Sequence, residues 1–274
     1  MKNVVSVIIP CFNNADTIAQ TTDSIFNQYL TNTEIIIVDD GSTDESISII
    51  NKIIQKNKSR QIKLIVQKNS GPSKARNTGA FQADGKYLLF LDADDLIHAD
   101  YLKLAVDLME NNNQLQLVYS RAEFFEARTG AWRLNKFSPK GMLLQNCIFI
   151  SALMRKDSFV RVGGFDEQLN YVEDWELWLR LLYPNCMVHQ IDKTLFYYRK
   201  RNNQSSLTDK STLLQNKAVA YVYQKHYELF CEYGYDSARL LEMAKHAEKL
   251  HQKYYGVWYR KLFYSIFHAK NRGK

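Results

Sequence analysis

Short apolar runs alternate with amphipathic segments along the first half of the chain. A β-branched run bounded by turn residues predicts a buried strand, and apolar residues spaced by three and four positions predict a helix face. The predicted strands are Val4–Pro10, Glu34–Val38, Ile62–Gln67, Tyr87–Leu91 and Leu115–Tyr119. The predicted helices are Ala15–Gln28, a segment through Lys56 that follows the capping-box spacing of Ser42 and Glu45, a segment through Phe81 that follows Ser70, Gly71 and Pro72, and Tyr101–Glu110.

Continuous apolar strands between amphipathic helices predict an α/β fold whose parallel sheet is covered on both faces. In such sheets, ligands bind outside the carboxyl ends of the strands. The polar loops Cys11–Asn14, Asp39–Thr43 and Asp92–Asp95 each follow a predicted strand. We therefore expect these three loops to converge on one crevice.

The second half of the chain is less regular. Val172–Leu182 predicts a helix, Leu195–Lys200 is typical of a strand, and the pattern from Leu207 onward is helical. The 274 residues are 46% hydrophobic and 24% charged, which excludes collagen, low-complexity disorder and a disulfide mini-protein. The expected organisation is one large domain, or one domain with an appendage.

No apolar run is long enough for a transmembrane helix, and the N-terminal apolar stretch is typical of a strand rather than a signal peptide. The four cysteines are far apart and form no CxxC pair, which favours reduced thiols in the cytoplasm over a disulfide framework or structural zinc.

The net charge of +7 is concentrated at the C-terminus. Residues 251–274 contain six Lys and Arg and no acid, which leaves 30 basic and 29 acidic residues elsewhere, so nucleic-acid binding is not expected. Tyr254–Phe267 interleaves seven aromatic residues with these cations. Such a composition suits a helix at the surface of an anionic membrane. The alternative is a helix packed on the domain with a basic outer face.

Asp92-Ala93-Asp94-Asp95 is the sharpest candidate site. Three carboxylates within four residues repel one another unless a cation or hydrogen-bond donors compensate, and a divalent metal with a phosphate partner does so. Strand alternation would point Asp92 and Asp94 the same way. The alternative is an acidic loop that caps the following helix.

Four other segments carry candidate chemistry beside simpler structural roles. Asp39-Asp40 could accept from a ring N–H or a ribose hydroxyl, or could serve helix capping. The helix start after Gly71, with Lys74 and Arg76, suits phosphate, although it matches neither GxGxxG nor the Walker pattern. One acid of Glu173-Asp174-Trp175-Glu176 could face a cleft, or all three acids could lie on a solvated helix surface. Tyr197–Arg201 could hold phosphate or sugar, or could be a solvated strand end.

Taken together, these strings resemble the family-2 glycosyltransferases with the GT-A fold. The matching stretches cover about the first 200 residues: VSVIIPCFNNADTIAQTTDSI, IIIVDDGSTDES, NSGPSKARNTGA, YLLFLDADD, GGFDE and EDWELW. The resemblance implies a mainly parallel sheet flanked by helices in a catalytic domain of residues 1–205. Residues 206–274 would then form a helical, basic and aromatic C-terminal extension.

The resemblance also implies inverting transfer of a sugar from a nucleotide-diphosphate donor, with UDP as the expected nucleotide, to a hydroxyl of a saccharide acceptor in bacterial surface polysaccharide synthesis. By position, Asp174 is implied as the catalytic base, and Asp94 with Asp95 as the ligands of Mn²⁺ or Mg²⁺. The nucleotide sugar is implied to contact Pro10, Asn13, Asp40, Arg76 and Asp92. Of these, Asp40 would accept a hydrogen bond from the uracil ring.

One position departs from the family pattern. Many members carry a histidine shortly after the YR dipeptide, whereas this sequence has Arg201 there. A guanidinium binds diphosphate but cannot ligate a metal, so we expect fewer protein ligands for the metal. Transfer to polyprenyl phosphate and a catalytically inactive nucleotide-sugar-binding protein stay open as alternatives. The acceptor could be lipid-linked, with the enzyme cytoplasmic and peripheral on the inner face of the membrane.

Overall fold

The structure, a computed structural model, describes residues 4–201 and 212–255, the last three of them by backbone only. Its strands are β1 (Val5–Cys11), β2 (Thr33–Asp39), β3 (Gln61–Val66), β4 (Tyr87–Phe90), β5 (Leu96–Ile97), β6 (Leu117–Glu126), β7 (Gly130–Trp132), β8 (Leu153–Arg155) and β9 (Val188–Lys200). Its helices are α1 (Ile18–Phe26), α2 (Ser46–Lys56), α3 (Pro72–Phe81), α4 (Tyr101–Asn111), α5 (Pro139–Leu144), α6 (Lys156–Arg161), α7 (Glu173–Leu182), α8 (Thr212–Lys225), α9 (Tyr227–Glu232) and α10 (Ser237–Tyr255).

The predicted parallel sheet is confirmed for the first four strands, which lie in the order β3-β2-β1-β4. Most residues of β1, β2 and β4 are buried, as expected for strands that are covered on both faces. The register pairs Cys11 with Asp39, so β1 and β2 end side by side. On α3, a Cβ at Gly79 would lie 2.5 Å from Ile8 Cγ2, so only glycine lets this helix approach β1 so closely.

Beyond β4 the sheet is mixed and continues in the order β8-β6-β9-β5, with β7 paired to β6. β8 is antiparallel to both β4 and β6, whereas β6 and β9 are parallel. The short strands β5, β7 and β8 and the short helices α5 and α6 have no counterpart in the sequence prediction. The predicted strand Leu115–Tyr119 is the start of the much longer β6.

The predicted capping box before α2 is wrong. The helix begins at Ser46, and its N-cap residue Glu45 makes no side-chain capping bond. The Ser42 hydroxyl instead accepts the backbone N–H of Asn13 at 3.0 Å. A tertiary hydrogen bond to the neighbouring loop has therefore taken the acceptor that the local motif would have used.

By clustering of its contacts, the chain divides into two units, Met1–Val222 and Tyr223–Lys274. The boundary after residue 205 stays a prediction. The helical character predicted for the end of the chain is confirmed for α8, α9 and α10, while the aromatic stretch from residue 256 onward lies outside the described residues. Among the described helices, none is both long and apolar enough to cross a membrane.

Candidate active site

The loops that follow β1 and β2 are joined directly. Asn13 has a left-handed backbone with φ 54°, and its side-chain Oδ1 accepts the N–H of Thr43 at 2.8 Å. The N–H of Asp40 donates to the Cys11 carbonyl at 2.8 Å. Pro10 is half-buried near the end of β1, opposite Val38. The convergence expected of these two loops is therefore present.

Asp40 is buried and serves the loop that leads into α3. One oxygen accepts from Gln67 Nε2 at 2.8 Å and from the Ser70 N–H at 2.9 Å, and the other accepts the Gly71 N–H at 2.8 Å. A carboxylate has about four acceptor positions, so one remains for a ligand. Recognition of a uracil ring by Asp40 stays a prediction that depends on that position.

The acidic cluster lies in a turn rather than on a strand. β4 ends at Phe90, and the N–H of Asp95 closes the turn on the Asp92 carbonyl at 3.1 Å, so strand alternation does not orient these side chains. The side chains of Asp92 and Asp94 are each 32% exposed, whereas Asp95 is buried. Burial, followed by the charge of Asp92, raises the pKa of Asp94 to about 6.

Asp95 is hydrogen-bonded to β9. Its Oδ1 accepts the backbone N–H of Arg199 at 2.9 Å, and its buried Oδ2 has no hydrogen-bond partner in the described chain. Burial and the charges of Asp94 and Asp92 hold its pKa well above the ordinary range. The Arg199 Nε–H also donates to the Asp94 carbonyl at 2.7 Å, so one arginine fixes two residues of the turn.

The chemistry of this cluster fits a divalent cation that is held jointly with a ligand. A hard cation would offset the repulsion between the carboxylates and would give the unpartnered oxygen of Asp95 a ligand contact. Within residues 4–201 and 212–252, no three Asp, Glu, His or Cys side chains are arranged to hold a metal by themselves. The protein could therefore supply a partial ligand set, which diphosphate oxygens would complete.

Arg201 connects the acidic turn to the loop after β1. Its guanidinium lies 3.5 Å from Asp94 Oδ2 and 3.4 Å from Asp16 Oδ2, and it donates to Thr17 Oγ1 at 3.3 Å. All three polar loops thus meet, as the sequence predicts. The cation at this position faces the candidate metal site, consistent with the expectation of a diphosphate contact.

Arg76 joins the acidic turn to the helix that bears the candidate base. It is 4% exposed, and its two terminal nitrogens donate to Asp92 Oδ1 at 2.8 Å and to Glu173 Oε1 at 2.7 Å. Burial opposes its charge, but Asp92 and then Glu173 outweigh burial and raise the pKa of Arg76. Both terminal nitrogens thus have carboxylate partners, and the contact of Arg76 with the nucleotide stays a prediction.

A second residue of α3 holds the loop that precedes α7. Asn77 bonds the backbone of Phe165 in both directions, with its Nδ2 donating to the carbonyl at 2.9 Å and its Oδ1 accepting the N–H at 2.8 Å. The Ser73 hydroxyl donates to the Leu169 carbonyl at 2.6 Å. The helix start that resembles a phosphate site therefore also positions the chain that carries Asp174.

Asp174 combines a fixed orientation with a raised pKa. Its Oδ2 accepts from Asn146 Nδ2 at 2.9 Å, and its Oδ1 accepts the Trp175 N–H at 2.7 Å. Burial, followed by the charge of Glu173, raises its pKa to about 7, although Trp175, Arg76 and Asn146 oppose the shift. Val172 just before it has φ 54°, which is strained for a β-branched residue and often marks a functional site.

The acids of α7 have separate roles. Glu173 pairs with Arg76, Glu176 is fully buried against Arg180, and Asp174 bonds Asn146. The surface interpretation of this acidic segment is therefore wrong. The sequence did not predict the positioning roles of Asn146, Arg199 and Asn77. A signal existed for Asn77, which lies inside the GPSKARN string, and for Arg199 in the YYRKR patch, but none for Asn146.

Residues 6–165 match the profile described as Glycosyl transferase family 2, more than half of the chain. The fold and the site thus define a glycosyltransferase with a mixed α/β sheet of the GT-A type. More narrowly, the chain belongs to glycosyltransferase family 2, which confirms the resemblance read from its motifs.

Named relatives agree with this membership. The chain is 33% identical over 213 residues to an uncharacterized glycosyltransferase of Rickettsia felis, covering 75% of this chain and 34% of the relative. The chain spans only about a third of the length of the Rickettsia relatives. It is also 28% identical over 247 residues to the Escherichia coli UDP-Glc:alpha-D-GlcNAc-diphosphoundecaprenol beta-1,3-glucosyltransferase WfaP, covering 85% of this chain and 92% of the relative.

Solved structures support the fold. S. aureus TarS 1-349 in complex with UDP-GlcNAc has a TM-score of 0.63 at 23% identity, covering 82% of this chain and 73% of that chain. The mannosyltransferase PcManGT from Pyrobaculum calidifontis, in complex with GDP-Man and Mn²⁺, has a TM-score of 0.58 at 17% identity, covering 93% and 82%. At these identities the likeness concerns the fold alone.

Proposed function

We propose that this glycosyltransferase moves a sugar, with inversion, from a UDP-linked donor to a hydroxyl of a saccharide acceptor. The observation that carries the proposal is the Arg76 bridge between Asp92 and Glu173, which fixes the acidic turn beside the helix of Asp174. A donor at the turn would thus lie near a carboxylate whose pKa is about 7. The UDP and UDP-GlcNAc complexes of TarS support the choice of donor class.

Asp174 is the proposed general base. A base works best when its pKa lies near the operating pH, and burial with Glu173 has placed it there. Its carboxylate would take the proton of the acceptor hydroxyl as that oxygen attacks the anomeric carbon. The anomeric C–O bond to the diphosphate breaks, and the nucleoside diphosphate leaves with the bonding electrons. Attack from the face opposite the leaving group gives inversion, by analogy with inverting glycosidases.

Asp94 and Asp95 are the proposed metal ligands. Bound Mn²⁺ or Mg²⁺ would supply positive charge to the diphosphate as it leaves. Arg201 is placed to add a guanidinium contact to the same group, and Asp92 would contact the ribose and sugar. Pro10, Asn13 and Asp40 would border the nucleotide. The Mn²⁺ complex of PcManGT supports a metal in this fold.

A saccharide acceptor is favoured over polyprenyl phosphate. The E. coli relative is named for an acceptor sugar on diphosphoundecaprenol, and a Bacillus subtilis relative is a minor teichoic acid biosynthesis protein, GgaA. We extend these to a surface-polysaccharide role in the cytoplasm, with residues 251–274 contacting the inner face of the membrane. Six cations, seven aromatic residues and no acid in this stretch support that contact.

The test separates binding from chemistry. A panel of UDP- and GDP-sugars identifies the donor by Mn²⁺-dependent hydrolysis. Asp174→Asn should then keep donor affinity in calorimetry and lose about 10²–10⁴-fold in turnover. Asp157→Asn is the matched control, since it makes the same change at an exposed carboxylate in the first turn of α6.

Two results would contradict the proposal. A severe loss of turnover in Glu173→Gln, with little loss in Asp174→Asn, would show that Glu173 acts as the base. Donor binding without hydrolysis or transfer, for every donor and acceptor offered, would favour the catalytically inactive nucleotide-sugar-binding protein.

A further inference from the structure

The chain between β6 and β8 is rich in cations and contains no acid. From Ala127 to Lys156 there are six Lys and Arg and neither Asp nor Glu. Arg155 and Lys156 donate to backbone carbonyls. The other four lie between residues 128 and 140, which we name the cationic segment, and all are exposed: Arg128, Arg133, Lys136 and Lys140.

These cations differ from those at the donor edge. Arg76, Arg199 and Arg201 are each paired with a carboxylate. Within the described part of the chain, no carboxylate pairs with the four residues of the cationic segment, and Arg128 lies over the Phe124 ring at 4.1 Å. Their charge is therefore available to an anion from outside the protein.

The chain that follows the cationic segment is hydrogen-bonded to the helix that bears the candidate base. Lys140 lies in α5, where the Met142 carbonyl accepts the indole N–H of Trp175 at 2.6 Å. Asn146 just after α5 donates to Asp174 at 2.9 Å. These two bonds attach the chain just after the cationic segment to Trp175 and Asp174 of α7, and Asp174 is the residue proposed to receive the acceptor proton.

We propose that the cationic segment binds the acceptor, and that this acceptor carries phosphate groups close to the hydroxyl that receives the sugar. The inference rests on the proposed function. The acceptor hydroxyl must lie within hydrogen-bond reach of Asp174, so the rest of the acceptor passes over neighbouring surface. Arg forks bind phosphate oxygens with two parallel hydrogen bonds, and Lys ammonium groups bind them as point charges.

Phosphate near the acceptor hydroxyl could come from two sources. One is the diphosphate that joins a saccharide to a lipid carrier, and the other is a polyol-phosphate chain. Both present oxyanions to the same cations. A short glycerol-phosphate oligomer, a saccharide with a soluble short-chain prenyl diphosphate, and a neutral saccharide of equal length distinguish them.

The experiment measures binding of these probes to the full chain. The test variant combines Arg133→Gln, Lys136→Gln and Lys140→Gln, and leaves Arg128 on its aromatic contact. The control variant combines Lys52→Gln, Lys56→Gln and Lys58→Gln, which removes the same charge from exposed sites on and just after α2. Exposed ion pairs are weak singly, so three should weaken a phosphate-bearing probe by about tenfold.

The expected result is tenfold weaker, salt-sensitive binding of one phosphate-bearing probe in the test variant and less than twofold change in the control. Equal loss in both variants would overturn the inference, as would wild-type binding that ignores phosphate. If the test variant instead loses binding to phosphatidylglycerol vesicles and keeps binding to all soluble probes, the segment contacts membrane and the inference is wrong.

Failure of the proposed function has a different signature. The wild-type chain could bind the phosphate-bearing probe through the cationic segment and yet transfer no sugar from any donor. That result would support the binding surface and contradict the proposed enzyme mechanism. Rapid transfer to the neutral saccharide, at the same rate in the test variant, would support the enzyme mechanism and contradict the proposal that the acceptor carries phosphate.

Discussion

Removal of the Asn146 amide should change the pH at which the enzyme gains activity. Asn146 Nδ2 donates to Asp174 at 2.9 Å, and its own Oδ1 is held by the Ile148 N–H at 3.1 Å. The amide therefore offers a fixed donor that favours the ionised carboxylate. We expect Asn146 to be a positioning residue that also lowers the pKa of the proposed base.

The magnitude follows from one hydrogen bond to a charged group, which contributes about 1.5–3 kcal/mol. One pKa unit corresponds to about 1.4 kcal/mol, so Asn146→Ala should raise the pKa of Asp174 by about one to two units. The starting value is about 7, set by burial and Glu173 against Trp175, Arg76 and Asn146. At pH 7 the ionised fraction would then fall from about half to about 1–10%.

The assay is the pH dependence of kcat/KM for transfer. The acidic limb of wild type should have its midpoint near pH 7, and that of Asn146→Ala should lie one to two units higher, with activity recovering in alkaline buffer. Asn135→Ala is the control, because its amide bonds Gln145 in the same stretch of chain at 2.8 Å. An even loss at every pH would refute the reasoning and leave Asn146 a purely structural role.

Three further outcomes are expected. Asp94→Ala should abolish the EDTA-sensitive part of UDP binding in calorimetry while the fold persists, and unchanged binding would remove the metal assignment. Asp174→Asn should be more stable than wild type to urea at pH 8, and this advantage should be smaller at pH 5. A carboxyl pKa raised from 3.8 to about 7 stabilises the wild-type fold at low pH. That stabilisation is lost as pH rises from about 4 to 7, with an upper bound of about 4 kcal/mol. Liposome flotation of the full chain should exceed that of a chain ending at Gln252 on anionic vesicles at low salt, and equal flotation would refute the membrane contact.

The sequence predicted the meeting of the polar loops because carboxyl ends of parallel strands share one edge of a sheet. From that rule alone, Asn13, Asp40 and Asp94 are expected in one crevice. It works because the first strands are continuous apolar runs, which leave a single way to bury both faces. The motif strings then supplied the family.

The rest depends on contacts between distant residues, which periodicity does not encode. Arg76 and Glu173 are 97 positions apart, and the orientation of α7 that joins them follows from the bonds of Asn77 to the preceding loop. β8 has three residues, too few for a period, yet it is the antiparallel strand that joins β4 to β6 and makes the sheet mixed. Asn146 lies in an irregular stretch, so no pattern could have identified it.

The charge distribution of the crevice explains why a metal and a diphosphate should bind together. Seven carboxylates lie around three guanidinium groups there: Asp16, Asp92, Asp94, Asp95, Glu126, Glu173 and Asp174 around Arg76, Arg199 and Arg201. Two like unit charges 4 Å apart repel by about 4 kcal/mol at an effective dielectric constant of 20. A diphosphate that approached Asp94 without a cation would meet that repulsion, since the arginines already have carboxylate partners. A divalent ion removes it, so nucleotide affinity should depend more strongly on the metal than on Arg201, and Arg201→Gln should weaken UDP binding less than EDTA does.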